Sequence, residues 1–195
     1  LFFCSAISYV FKNQFISRFM SVILIGYMGS GKSTIGKKLA EMLDFELIDL
    51  DDYLQKKENL TISEIFKTKG EIYFRKIEQR YLEELLKRTN IILSLGGGTP
   101  CYGSNMDAIL NAQEAYSIYL RSSIPNLVKR LRSEKVQRPL ISHLETDEEL
   151  TEFIGKHLFE RSFYYNQSNQ TIHTDGKNIE AIAKEVSEAY NSKYK

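Results

Sequence analysis

Residues Ser21–Ala40 read SVILIGYMGSGKSTIGKKLA. Val22–Ile25 is an unbroken apolar run, the pattern of a central strand covered on both faces. Gly26-Tyr-Met-Gly-Ser-Gly31-Lys32-Ser33 follows, and it satisfies G-x-x-x-x-G-K-[ST] at each fixed position. Beyond it Ile35, Leu39 and Leu43 recur at four-residue spacing and mark one buried face of a helix. Strand, glycine-rich turn and helix in that order form a phosphate cradle. The glycines let successive N–H groups face a polyphosphate, and the helix N-terminus adds the positive end of its dipole. Gly29, Ser30, Gly31 and Thr34 are candidate nucleotide contacts, Lys32 has the reach for β- and γ-phosphates, and the Ser33 hydroxyl suits Mg²⁺. A turn with no ligand would not need the full motif with both flanks. Alone, the motif indicates a nucleoside triphosphate with magnesium.

Outward from this loop, short β-rich runs alternate with helical periods, the mark of an α/β fold with a parallel sheet. Further strands are expected at Glu46–Ile48, Ile91–Leu95, Ala115–Leu120 and Thr171–His173. Thr61-Ile-Ser-Glu64 has the form of a capping box for a short helix. A longer helix over Gly70–Arg88 carries Phe74, Ile77, Tyr81 and Leu85 on one face. Helices are also expected over Ile124–Arg132 and Asp147–Asn166, and a closing one bears Ile179, Ile182, Ala183, Val186 and Tyr190. Ser133–Thr146 is polar, contains a proline and lacks hydrophobic periodicity. No internal repeat or low-complexity tract is present.

Composition narrows the function classes. The chain has 195 residues, 43% hydrophobic and 26% charged, as expected of one globular domain. Its formal net charge of +1 gives no support for a nucleic-acid or polybasic membrane binder. Cys4 and Cys101 show no CxxC spacing, and His143, His157 and His173 are scattered without an HExxH pattern, so a disulfide scaffold or a zinc enzyme is not indicated. The leading segment, LFFCSAISYVFKNQFISRF over residues 1–19, is interrupted by Lys12, Asn13, Gln14 and Arg18. Its apolar run falls short of the roughly 20 residues a membrane-spanning helix needs, and it lacks the basic start of a signal peptide. It is expected to be a non-native or disordered extension ahead of Met20, in preference to a targeting segment or an ordered extra helix. A single domain over residues 20–195 remains.

Asp49 and Asp51 end the second strand. Parallel pairing puts that end beside the phosphate loop, and a spacing of two places both carboxylates on one face of a strand. One carboxylate near Mg²⁺ and another near an acceptor hydroxyl is a workable arrangement for phosphoryl transfer; the competing reading is a solvated acidic loop. Gly96-Gly97-Gly98 ends the third strand at the same edge, where three glycines admit a ligand or another backbone. Arg75 and Arg161, taken singly, read as arginines solvating a helix face.

In combination, GYMGSGKSTIGKKLA, LIDLDDYL, GEIYFRKIE, SLGGGTP, VQRPLI and the Arg161 helix occur in an order and spacing that resembles shikimate kinase, from about Ser21 to Tyr190. The phosphate loop is shared by many families; the ordered set Asp-x-Asp, Phe-Arg-x-x-Glu, Gly-Gly-Gly and Arg-Pro-Leu is far more specific. The resemblance implies a P-loop NTPase of the nucleoside monophosphate kinase-like class, with a five-stranded parallel sheet of order 2-3-1-4-5 flanked by helices. It implies a substrate-binding region at about 52–90 and a lid at about 133–146. It further implies transfer of the γ-phosphate of ATP to the 3-hydroxyl of shikimate, on the route to chorismate and the aromatic amino acids. By the same resemblance, Asp49 and Ser33 hold one Mg²⁺, and Asp51 binds shikimate hydroxyls and is the candidate base or orienting group. Arg75 and Arg161 bind the substrate carboxylate, and Gly97 and Gly98 offer backbone contacts. Lys32 and the lid residue Arg138 stabilise the transferring phosphoryl group, and Arg130 lies against adenine; residues near Thr174–Ile179 match the adenine loop less well. A cytoplasmic monomer with no nucleic-acid or membrane partner is expected.

Three other readings compete. Another small-molecule kinase such as a gluconate kinase shares the phosphate loop, but has no obvious need for the glycine triplet together with Phe-Arg-x-x-Glu. A nucleotide-switched binding protein predicts N-K-x-D and D-x-x-G motifs, which the sequence lacks. An inactive scaffold predicts loss of Lys32, Asp49 or Asp51, and all three are present.

Overall fold

A computed structural model describes residues 20–135, 138 and 140–193. Strand β1 (Ser21–Ile25) is buried at all five positions and occupies the centre of the sheet. β2 (Glu46–Asp49), β3 (Ile91–Ser94), β4 (Ala115–Arg121) and β5 (Gln170–His173) complete the order β2-β3-β1-β4-β5. Every pairing is parallel, with Ile23 opposite Leu93 on one side and Ser117 on the other. The expected order 2-3-1-4-5 is therefore present.

Alternation along the strands divides the core into two layers. Ile23, Ile25, Leu93 and Tyr119 pack with Leu54, Leu82, Leu131 and Ile154. Those residues come from helices α2 (Leu50–Glu58), α3 (Ile62–Leu85), α5 (Ile124–Glu134) and α6 (Asp147–Tyr165). On the opposite face, Val22, Leu24, Ile92 and Ile118 meet Ile35 and Leu39 of α1 (Lys32–Leu43) and Ile182 and Val186 of α7 (Ile179–Lys193). A short α4 (Asn105–Asn111) closes the first layer through Met106 and Ile109. Burying one such aliphatic side chain contributes about 1.5–3 kcal/mol, which is why the unbroken run of β1 takes the position covered on both faces. The parallel arrangement sends all five carboxyl ends to one edge, and the first residues past them are Gly26, Leu50, Leu95, Ser122 and Thr174.

The structure departs from the sequence reading at four places. Asp49 does not lead into a loop: it caps α2 directly, its carboxylate accepting the Asp51 N–H at 3.0 Å. With no linker between strand and helix, no turn residues announce the change. The Gly70–Arg88 helix is the second half of a longer α3 that starts at the Thr61/Glu64 capping box and breaks at Gly70 (φ 79°, ψ 172°). Phe74, Ile77, Tyr81 and Leu85 are all buried, as their spacing requires. A 3₁₀ turn at Thr99–Cys101 and helix α4 follow the glycine triplet where no element was expected. In the polar 133–146 segment, α5 runs on to Glu134, Ile141 is fully buried and Leu144 packs against the same core, so two apolar residues without helical or strand periodicity tie the segment down. The expected extension over residues 1–19, and Val136, Gln137 and Pro139 of the expected lid, lie outside the described residues. Among the described residues, no helix is long and apolar enough to cross a membrane.

Candidate active site

The turn after β1 wraps around its own lysine. Lys32 Nζ donates to the carbonyls of Gly26 (2.8 Å) and Tyr27 (3.1 Å), which holds the loop open in a ring. Gly31, the N-cap of α1, has φ 97° and so needs the freedom that only glycine has cheaply. The Ser30 hydroxyl is buried without a hydrogen-bond partner, a donor left for something that enters the loop. Burial lowers the Lys32 ammonium to about 8, with Arg138 acting in the same direction and Asp49 and Asp51 against it. A cavity of about 490 Å³ opens over this loop.

Gly29, Ser30, Gly31, Lys32, Ser33, Thr34, Asp49, Asp51, Gly97, Arg130 and Arg138 all line that cavity. The two aspartates arrive there by a different route from the one the spacing implied. Asp49 is the last strand residue and Asp51 lies in the first turn of α2, so they share the cavity but not a strand face. The Asp51 carboxylate lies against backbone at Gly96, where an added Cβ would be 3.1 Å from its Oδ1. Burial pushes Asp51 up to about 6, reinforced by Asp49 and Glu78 and offset by Lys32.

Gly98, Arg75 and Arg161 stand outside the cavity lining, on the far side of the glycine turn. They remain close to it: a Cβ on Gly97 would be 3.7 Å from Arg161 Nη1, and one on Gly98 3.9 Å from Arg75 Nη1. Gly97 also lies close to the phosphate loop, where the same Cβ would meet Met28 N at 3.5 Å and Gly26 O at 3.6 Å. Arg75 donates from Nη1 to Glu78 (2.8 Å), and its Cζ lies 3.4 Å from the centre of the Tyr102 ring. Glu78 is almost fully buried and accepts from Thr99 Oγ1 at 2.7 Å as well. The sequence motifs assign no site role to Glu78 or Tyr102. The i, i+3 spacing of Arg75 and Glu78 could have revealed the first; nothing local points to the second.

Helix α6 carries three successive contacts to the same loops. Tyr27 OH and His157 Nδ1 are 3.1 Å apart, Arg161 Cζ lies 5.6 Å from the Tyr27 ring centre, and Tyr165 OH donates to Gly97 O. Burial raises the Tyr27 phenol to about 12, so it stays protonated at neutral pH. At the other end of the cavity, Arg130 Nη1 donates to Gly29 O (3.1 Å), and Lys177, Ile179 and Ile182 complete the wall. Arg138 is paired with Glu134, at 2.9 Å from Nε and 2.5 Å from Nη2.

The donor set suits one hard divalent cation. Ser33 offers a hydroxyl and Asp49 a carboxylate, both on the cavity wall that holds Lys32. Among the described residues, no group of three His, Cys, Asp or Glu could form a cage. Mg²⁺ needs none, since it is commonly held by one or two protein oxygens together with phosphate and water.

Comparison with known proteins agrees with this geometry. A family model described as shikimate kinase (SKI) matches residues 28–191. The curated shikimate kinase of Flavobacterium johnsoniae is 45% identical over 166 residues, covering 85% of this chain and 95% of the relative. That of Parabacteroides distasonis is 36% identical over 168 residues, covering 86% and 95%. The crystal structure of the Bacteroides thetaiotaomicron shikimate kinase superposes with a TM-score of 0.80 at 33% identity, over 88% of this chain and 98% of that one. Acinetobacter baumannii shikimate kinase in complex with shikimate gives 0.77 at 28% identity, over 95% and 98%. A gluconokinase from Sinorhizobium meliloti gives 0.56 at 16% identity over 90% and 97%, a likeness of fold alone.

Proposed function

The chain belongs to the shikimate kinase family, and on that premise we propose that it transfers the γ-phosphate of ATP to the 3-hydroxyl of shikimate, yielding shikimate 3-phosphate and ADP. This places it on the route to chorismate and the aromatic amino acids. One observation carries the reading: a complete phosphate loop, the Asp49/Asp51 pair and a glycine turn flanked by Arg75 and Arg161 meet at a single sheet edge.

The residues divide the work. Residues Gly29–Thr34 present backbone N–H groups to the phosphates, while Lys32 exchanges its carbonyl partners for phosphate oxygens. One Mg²⁺, held by Ser33 and Asp49, would neutralise charge on the β- and γ-phosphates when bound. Arg130 and the Lys177–Ile182 wall take the adenine side. Shikimate lies across the glycine turn, its carboxylate held by Arg75 and Arg161 and its ring against Gly97 and Gly98. Asp51, raised to about 6, orients the 3-hydroxyl and is suited to take its proton near neutral pH. Arg138 leaves Glu134 and meets the transferring phosphoryl group, where it offsets developing charge. A domain of this kind works as a cytoplasmic monomer with no nucleic-acid or membrane partner.

The test is ADP release with shikimate, quinate, gluconate and nucleoside monophosphates offered separately. Release that depends on shikimate supports the reading. Release that depends on gluconate alone would move the chain to the gluconate kinase reading, and release that depends on none would end the kinase assignment.

A further inference from the structure

Arg75 is gripped at one end and covered on one face. Its Nη1 is bound to the buried carboxylate of Glu78 at 2.8 Å, and its Nε lies 3.6 Å from Glu71 Oε1, too far for a good hydrogen bond. Its Nη2 has no hydrogen-bond partner among the described residues. The face of the guanidinium is covered by Tyr102, whose ring centre is 3.4 Å from Arg75 Cζ, closer than the 5.0 Å to the neighbouring Phe74 ring. That distance is van der Waals contact between a cation and a π-face, which is attractive and has a preferred geometry.

Tyr102 is itself fixed from three sides. Cys101 N donates to Gly98 O (2.9 Å) within the Thr99–Cys101 turn, and Asn105 N donates to Tyr102 O (3.1 Å). Asn105 Nδ2 bonds Thr99 O at 2.8 Å, which pins the segment to the start of α4. The ring edge meets the glycine turn, where a Cβ on Gly98 would be 3.5 Å from Tyr102 Cε2. The Tyr102 hydroxyl makes no hydrogen bond among the described residues and the residue is 39% exposed, so neither a polar bond nor burial in the core explains an aromatic residue here.

We propose that Tyr102 is a positioning residue for the acceptor substrate: its ring face sets the plane of the Arg75 guanidinium, so that the unpaired Nη2 end is presented to the substrate carboxylate. This rests on the reading of Arg75 as a carboxylate-binding residue. With Glu78 fixing one end, the side chain can still turn about that bond; the ring removes this remaining freedom before the substrate arrives. Pre-ordering of this kind acts on substrate affinity more than on the chemical step.

Steady-state kinetics on the full chain, at saturating ATP and varied shikimate, tests it. Tyr102→Phe keeps the ring face and should hold KM for shikimate within about twofold of wild type. Tyr102→Leu keeps apolar bulk without a π-face, and Tyr102→Ala keeps neither; both should raise that KM roughly three- to tenfold, with kcat changed less. In an Arg75→Lys background the further effect of Tyr102→Ala should largely disappear. Wild-type KM in Tyr102→Leu would overturn the proposal, as would a rise in Tyr102→Phe equal to that in Tyr102→Ala. A parallel rise in KM for ATP would show loss of the whole site and would overturn it too. Arg75→Lys separates this from the underlying reading. If that variant keeps the wild-type KM for shikimate, the carboxylate assignment itself fails; if its KM rises while Tyr102→Leu is silent, only the role of Tyr102 fails.

Discussion

Asp51 loses solvent on folding and lies near the charges of Asp49 and Glu78, with Lys32 as the offsetting cation. Its carboxyl titrates at about 6 in the folded chain against 3.8 for the free group, so folding favours the protonated form. The stability this contributes is complete below about pH 4 and is lost as pH rises through about 6. At pH 7.5 the ionised carboxylate therefore weakens the ligand-free protein. Asp51→Asn should raise stability there by about 1–3 kcal/mol, with the gain gone at pH 4, while turnover falls by roughly 10²–10⁴. Urea unfolding at the two pH values together with initial rates would check both halves. Arg138→Ala should lower kcat by roughly 10²–10³ and raise KM for shikimate much less, because the contact with the phosphoryl group forms as charge develops; an unchanged kcat would remove Arg138 from the reaction. Arg75→Lys should cost about 1.5–3 kcal/mol of shikimate affinity by loss of the planar fork, measurable by calorimetry. At this scale the titratable and basic residues were legible because their types and order are unusual together. Glu78 is local to Arg75, at i, i+3, but its second partner Thr99 lies 21 residues away and only the fold brings those two together.

The break in α3 is set by one residue whose conformation side chains avoid. Gly70 has φ 79° and ψ 172°, yet an added Cβ would meet no atom within 4 Å. Gly70→Ala therefore separates backbone strain from crowding. It should destabilise the protein by about 1–3 kcal/mol and raise KM for shikimate, since straightening α3 would move Arg75, five residues on, while KM for ATP should hold. Denaturant midpoints and the two KM values read this directly. Strands and long helices were legible in the sequence because burial imposes a period on them. Helix α2 was not, since Asp49 ends β2 and caps α2 at once and leaves no punctuation between them. Asp49 and Asp51 thus line one cavity from two elements, where a shared strand face is expected from their spacing. The first turn of a helix that abuts a strand end still points at the same edge.

Across the whole molecule, a formal charge of +1 conceals a concentration of cations at one sheet edge: Lys32, Arg130 and Arg138 on the cavity wall, with Arg75 and Arg161 beyond the glycine turn. Binding ATP with Mg²⁺ to this edge should stabilise the fold by about 2.7 kcal/mol at a hundredfold excess over Kd. Thermal melting with a non-hydrolysable analogue checks this; chelation of Mg²⁺ should remove most of the shift and abolish ADP release. Helix α6 gives that edge a mechanical character. It starts at Asp147, just after the polar 133–146 segment, and reaches Tyr165 about 28 Å later, touching Tyr27 and Gly97 on the way through His157 and Tyr165. A rod fastened at two points is braced: Arg161 lies between His157 and Tyr165, so the helix holds it at a set height beside the glycine turn.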